Sequence, residues 1–193
     1  QKNFALSKTS HDLILSLDAD EYLSKELEAS ILEEKKSGNS LAYSMNRLSS
    51  YAGKWIRHGS WYPDAKVRLW DKSVGQFGGK VPHELVQLNS GIKPVSLAGN
   101  LMHESYRDVG EALKKIELYS RIFAEHNLDR KVRSYTPFLH GFAAFFKSFF
   151  NKKGFMDGYS GFSVAVIMSA HAYFKYAQLF EKKQLIIHKT KNV

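Results

Sequence analysis

The stretch LILSLDADEYL, from Leu13 to Leu23, constrains the fold more than any other: apolar residues run directly into Asp18, Asp20 and Glu21. Residues 12–17 are aliphatic, brief and end abruptly in charge, which predicts a short buried strand. Ser24 is then placed to cap a helix. Glu26 and Glu28 favour its positive end, Leu27, Ile31 and Leu32 form an apolar stripe, and Gly38 sits where the helix stops. Strand, acids and capped helix predict a βα unit, and open α/β sheets gather their ligands at such strand ends. Two carboxylates at i and i+2 repel one another, so the expected partner is a cation. The chain has no cysteine, which leaves oxygen and nitrogen ligands and points to Mg²⁺ or Mn²⁺. A plainer alternative is that the three acids only open a loop and cap the helix after it.

The 193 residues suffice for one α/β domain with an appendage. Leu41, Tyr43 and Met45 alternate with smaller or polar residues and predict a half-buried strand. Residues 55–86 mix aromatics, glycine and charge with short β-like pieces such as AKVRLW, the composition of loops over a sheet. GIKPVSLAG reads as another strand, moved to an edge by Pro94. After Ser105, Leu113, Ile116, Leu118, Ile122 and Phe123 fall at helical spacing. The mixed α/β part is expected over residues 1–129.

Residues 130–193 differ in kind. They hold 11 Lys/Arg against only Asp157 and Glu181, so the whole net charge of +9 lies there. Phe138, Phe142, Phe145, Phe146 and Phe149 repeat at three to four, as in a helix, and a glycine-broken link leads into a second apolar helix. Such a stripe is either core or a face that dips into lipid while Lys147, Lys152, Lys153, Lys175, Lys182 and Lys183 meet anionic headgroups. Basic residues among aromatics also suit nucleic acid, but the helical pattern with Ala143, Ala144, Ala165 and Ala170 and the lack of any nucleic-acid module argue against it. The run from Gly161 to Phe174 is shorter than a bilayer span. No secretory leader opens the sequence, and with the absence of cysteine this gives a cytoplasmic expectation, peripheral on the inner membrane face.

Five segments, KNFAL, LDADE, PDAKVRLW, GGKVPHE and MHESYR, occur in order over most of residues 1–129. In this the chain resembles family 2 glycosyltransferases of the GT-A fold, in particular bacterial lipopolysaccharide-core β-glycosyltransferases, with their RNFAL, LDADE, PDxxxRLW, GGKVHE and HESYR. The resemblance implies an N-terminally incomplete GT-A domain with a C-terminal helical extension, because in the family a nucleobase-reading segment precedes the RNFAL helix. It implies Asp20 and His103 as metal ligands, and Asp18, Asn3 and Lys114 as contacts to a nucleotide-sugar donor, UDP-sugar being the expected one. Helical periodicity lets at most one of Lys114 and Lys115 face the site. The general base that activates the acceptor hydroxyl of a glycan or glycolipid falls on Glu84, for transfer with inversion. Pro82, inserted into the family's KVHE, leaves His83 and Asp64 open as alternatives for that base. Asp64, Arg68, His83 and Arg107 are candidate contacts to acceptor or phosphate. The haloacid-dehalogenase phosphatases also run a strand into D-x-D, but they place Thr or Val where this chain has Tyr22, and their later paired acidic motif is missing.

Overall fold

The structure, a computed structural model, describes residues 1–38, 40–79 and 85–191. In chain order the elements are α1 (Lys2–Ser7), β1 (Leu13–Leu15), β2 (Glu21–Leu23), α2 (Lys25–Ser37), β3 (Ala42–Tyr51), β4 (Lys54–Trp55), β5 (Ala65–Asp71), β6 (Gly75–Gly78), β7 (Leu85–Leu88), β8 (Val95–Tyr106), α3 (Val109–His126), α4 (Thr136–Phe146) and α5 (Gly158–Lys191). A π-helical turn (Lys147–Asn151) and a 3₁₀ turn (Gly154–Asp157) link α4 to α5. Two compact units result, one of residues 1–49 and 63–104, the other of residues 50–62 and 105–193. The composition shift at residue 130 therefore does not coincide with the division: α3 belongs with the C-terminal helices and packs on α5.

The first unit is built on a sheet of strand order β1-β5-β3-β8-β2, with β6 and β7 forming a separate hairpin. The pairs β1–β5, β3–β5 and β2–β8 are all antiparallel. The predicted βα unit is thus corrected to strand, turn, strand, helix, since the acids are followed by β2 before α2 begins. The predicted buried strand over residues 12–17 is corrected as well. Only Leu13–Leu15 pair, at a sheet edge, and Leu13, Leu15 and Leu17, which alternate onto one side of the chain, remain exposed. β1 and β2 stand at opposite ends of the strand order yet are joined by residues 16–20. A turn shortens that link further, the Glu21 N–H donating to the Asp18 carbonyl at 3.0 Å, so the sheet curls until its ends approach. The D-x-D stretch lies across this closure.

Leu27 of α2 packs with Tyr43, Met45, Leu69, Leu97 and Leu101 to form this unit's core. Ser24 caps α2 as expected, its Oγ accepting from the Leu27 N–H at 3.2 Å and also from the Asn100 N–H at 3.0 Å, while Gly38 closes the helix in the left-handed region. Helix and strand touch backbone to backbone at Gly99, where φ is +89° and a Cβ would stand 2.3 Å from the Leu27 nitrogen. Pro94 does not mark an edge: it precedes β8, which lies between β3 and β2. Because Ser24 Oγ serves both α2 and β8, Ser24→Ala is expected to lower unfolding stability by about 1–2 kcal/mol, measurable by urea denaturation.

In the second unit Tyr51, Ile56, Ala112, Ile116, Val164 and Ile167 form the core. Asp108 caps α3 through the Glu111 N–H at 2.9 Å. Buried Asp157 ties the loop after β4 to the start of α5: it accepts from the backbone N–H groups of Arg57 (2.9 Å) and His58 (2.8 Å) and contacts His58 Nδ1 at 3.0 Å. No helix among the described residues is long and apolar enough to cross a membrane.

Candidate functional site

The acids of the D-x-D stretch meet an equal company of bases in the first unit. Arg68, on β5 and only 7 % exposed, uses one guanidinium nitrogen to bridge Asp18 Oδ2 and Glu21 Oε1, each at 2.6 Å. Lys2 Nζ takes the other Asp18 oxygen at 2.8 Å. The Glu21 side chain is fully buried, and its second oxygen accepts from the Asp18 N–H at 3.0 Å. Arg47 on β3 lies 3.6 Å from Glu21 and pairs with Asp64 at 2.8 Å, while Lys66 holds the other Asp64 oxygen at 2.9 Å. Burial of Asp18 opposes its ionisation, but hydrogen bonding and charge from Lys2 and Arg68 outweigh it and hold the carboxyl below the usual aspartate value. Asp18, Glu21 and Asp64 are compensated from within the chain.

Asp20 is the exception. Half exposed at 49 %, its Oδ2 lies 3.3 Å from His103 Nε2, and no Lys or Arg ion pair to it occurs among the described residues. His103 is a β8 residue rather than one following a strand, and it stands in register with Glu21 of β2. Its Nδ1 lies 3.0 Å from Ser49 Oγ, which fixes the ring with Nε2 toward Asp20. One carboxylate oxygen and one oriented imidazole nitrogen are a donor set that Mg²⁺ or Mn²⁺ accepts when waters and substrate phosphates complete the shell. Among the described residues no group of three or more His, Cys, Asp or Glu could hold a metal by itself. The residues thus fit a shared metal and not a closed protein cage.

The other candidates divide. Asn3 clamps the backbone of Phe77 in both directions, its Nδ2 donating to the carbonyl at 2.8 Å and its Oδ1 accepting from the N–H at 2.9 Å. Arg107 belongs to the second unit, where its Nε donates to Glu111 at 2.7 Å. Lys114 is exposed on α3 of the same unit, whereas Lys115 turns inward over the Tyr106 ring at 4.5 Å. His83 and Glu84 lie outside the described residues. Sequence reasoning singled out Glu21 as one of the three acids but missed Arg47 and Ser49 as partners of the site. A signal was present for Arg47, the one charged residue of β3, which pairs with the strand that carries Lys66 and Arg68.

No protein-family model matches the chain. It is similar to uncharacterized glycosyltransferases of Rickettsia. The relative from Rickettsia felis is 30 % identical over 209 residues, covering 100 % of this chain and 71 % of the relative. Those from Rickettsia typhi and Rickettsia prowazekii are 29 % and 28 % identical, with 94 % and 93 % of this chain covered. The chain spans 66 % and 65 % of the length of these last two. A mixed α/β body with a helical C-terminus is compatible with such a domain, and the chain belongs to this glycosyltransferase family.

Proposed function

We propose that the chain carries the donor-diphosphate part of an inverting glycosyltransferase, family 2-like with a GT-A fold. It moves a sugar from a nucleotide donor, a UDP-sugar, to a glycan or lipid-linked acceptor in cell-envelope polysaccharide of the lipopolysaccharide-core kind, on the cytoplasmic side. The observation that carries this reading is the Asp20–His103 pair. In a cluster otherwise neutralised from within, it alone combines an exposed carboxylate with an oriented imidazole, in a chain that belongs to a glycosyltransferase family.

Asp20 and His103 would hold Mg²⁺ or Mn²⁺, which when bound supplies positive charge to the donor diphosphate. Arg68, Lys2 and Arg47 fix the acid stretch so that Asp20 is presented at the β2–β8 pair. Glu84 takes the acceptor hydroxyl proton as that oxygen forms its bond to the anomeric carbon, and the bond from that carbon to the diphosphate oxygen breaks on the opposite face. The nucleoside diphosphate leaves with the bonding electron pair, so one base suffices and configuration inverts.

Titration calorimetry of the chain with UDP, with and without Mn²⁺, tests the reading. Binding is expected only with Mn²⁺ and is expected to disappear in Asp20→Ala. Equal binding by Asp20→Ala, or metal-independent binding, would overturn it.

A further inference from the structure

We propose that the second unit docks on an anionic phospholipid surface through the aromatic face formed where α4 turns into α5. This goes beyond the transfer reaction and rests on none of its residues. The rings of Phe142, Phe146 and Phe150 follow one another at centroid separations of 6.3 and 4.9 Å, and Phe149 joins Phe150 to Phe155 at 5.1 and 6.2 Å. Phe145 and Phe149, half-buried, pack edge-on against Phe162 at 5.9 and 5.7 Å. The outer members stay open to solvent, Phe142 at 72 %, with Phe138, Phe146, Phe150, Phe155 and Phe162 also exposed. Beside them α4 and α5 enclose an apolar groove of about 380 Å³, lined in part by Phe138, Phe142, Val166 and Phe174. A contiguous aromatic surface of this kind marks an interaction site, because leaving it in water is costly.

Charge decides what it meets. Lys147, Lys152 and Lys153 lie in the same bend. The acids of residues 130–193 are Asp157, buried and committed to Arg57 and His58, and Glu181, about six turns further along α5. A second copy meeting this face symmetrically would bring cation against cation. Anionic headgroups over acyl chains match both its charge and its apolar surface. Lys153 adds an independent sign: its φ is +56°, a conformation in which glycine would be unstrained, yet a lysine is held there.

The six lysines considered from the sequence separate into two sets. Lys175 sits 4.2 Å from the Phe123 ring, Lys182 pairs with Glu125 at 3.6 Å, and Lys183 donates to the Arg130 carbonyl at 2.6 Å. Only Lys147, Lys152 and Lys153 serve the proposed surface.

Co-sedimentation with phosphatidylcholine vesicles, with and without phosphatidylglycerol, tests the proposal. The chain is expected to pellet with the mixed vesicles and to remain largely in solution with phosphatidylcholine alone. Phe142→Ser with Phe146→Ser, and separately Lys152→Glu with Lys153→Glu, are each expected to lower binding by about tenfold or more with unchanged circular dichroism. Lys153→Gly, which relieves the backbone, is expected to weaken binding while raising thermal stability. Failure to pellet with anionic vesicles, or binding that both double variants retain, would overturn the proposal. So would a chain that is dimeric and made monomeric by the phenylalanine variant without any lipid binding.

Discussion

Arg68→Met is expected to lower the free energy of unfolding by about 3–5 kcal/mol in urea titrations. The reason is what the substitution leaves behind. The Glu21 side chain is fully buried, and its 2.6 Å partner is Arg68. Arg47, at 3.6 Å and engaged with Asp64, is too far away to replace it. Asp18 loses its second cation in the same step. The ion pair itself need not be strongly favourable, since Arg68 Nε is buried with no hydrogen-bond partner among the described residues. The penalty comes from stranding a carboxylate away from water. The companion expectation follows: Arg68→Met combined with Glu21→Leu should recover most of the loss, because an apolar pair of similar volume carries no desolvation penalty. A cost under about 1 kcal/mol for the single variant would mean that this cluster does not hold the acid stretch across the curled sheet.

Local chemistry made α2 legible in the sequence. Ser24, the early glutamates and Gly38 act over one or two turns, and the structure uses each as expected. The helix from Val109 to His126 was legible for the same reason, its apolar spacing being long and regular. What could not be read was pairing between distant strands. Nothing within Leu13–Leu23 states that β1 would take β5 and β2 would take β8, so the break in the strand and the edge placement of β1 stayed hidden. The same limit applies to the site. Three acids in four positions look like a demand for a metal until residues some 26 to 50 places later bring Arg47 and Arg68 to them. His103 could be singled out as an imidazole, but its tie to Ser49 depends on the packing of β8 and β3.

The two aspartates of the D-x-D stretch should separate cleanly by experiment. Asp20→Asn is expected to leave unfolding stability within about 0.5 kcal/mol, since the residue is exposed and its ion contact is with His103 alone among the described residues. On the proposed reading the same change should weaken Mn²⁺ binding by about 100-fold, read by water-proton relaxation without nucleotide, because it would remove an anionic ligand and the partner that faces His103 Nε2. Asp18→Asn should do the reverse, lowering stability at neutral pH while sparing Mn²⁺ affinity. Its pH dependence identifies the cause. The folded carboxyl is held below its unfolded value of 3.8, so its contribution is fully present above that pH and is lost as pH falls through the lower folded value. Asp18→Asn should therefore remove part of the acid limb of the stability curve, and Asp20→Asn should leave it in place. If both variants lost Mn²⁺ equally with no change in the acid limb, Asp18 would be a ligand and the Lys2–Asp18–Arg68 bridge would not be its resting partnership. Two carboxylates two residues apart would then share one task, whereas the proposed reading divides them, Asp18 being held by Lys2 and Arg68 and Asp20 facing His103.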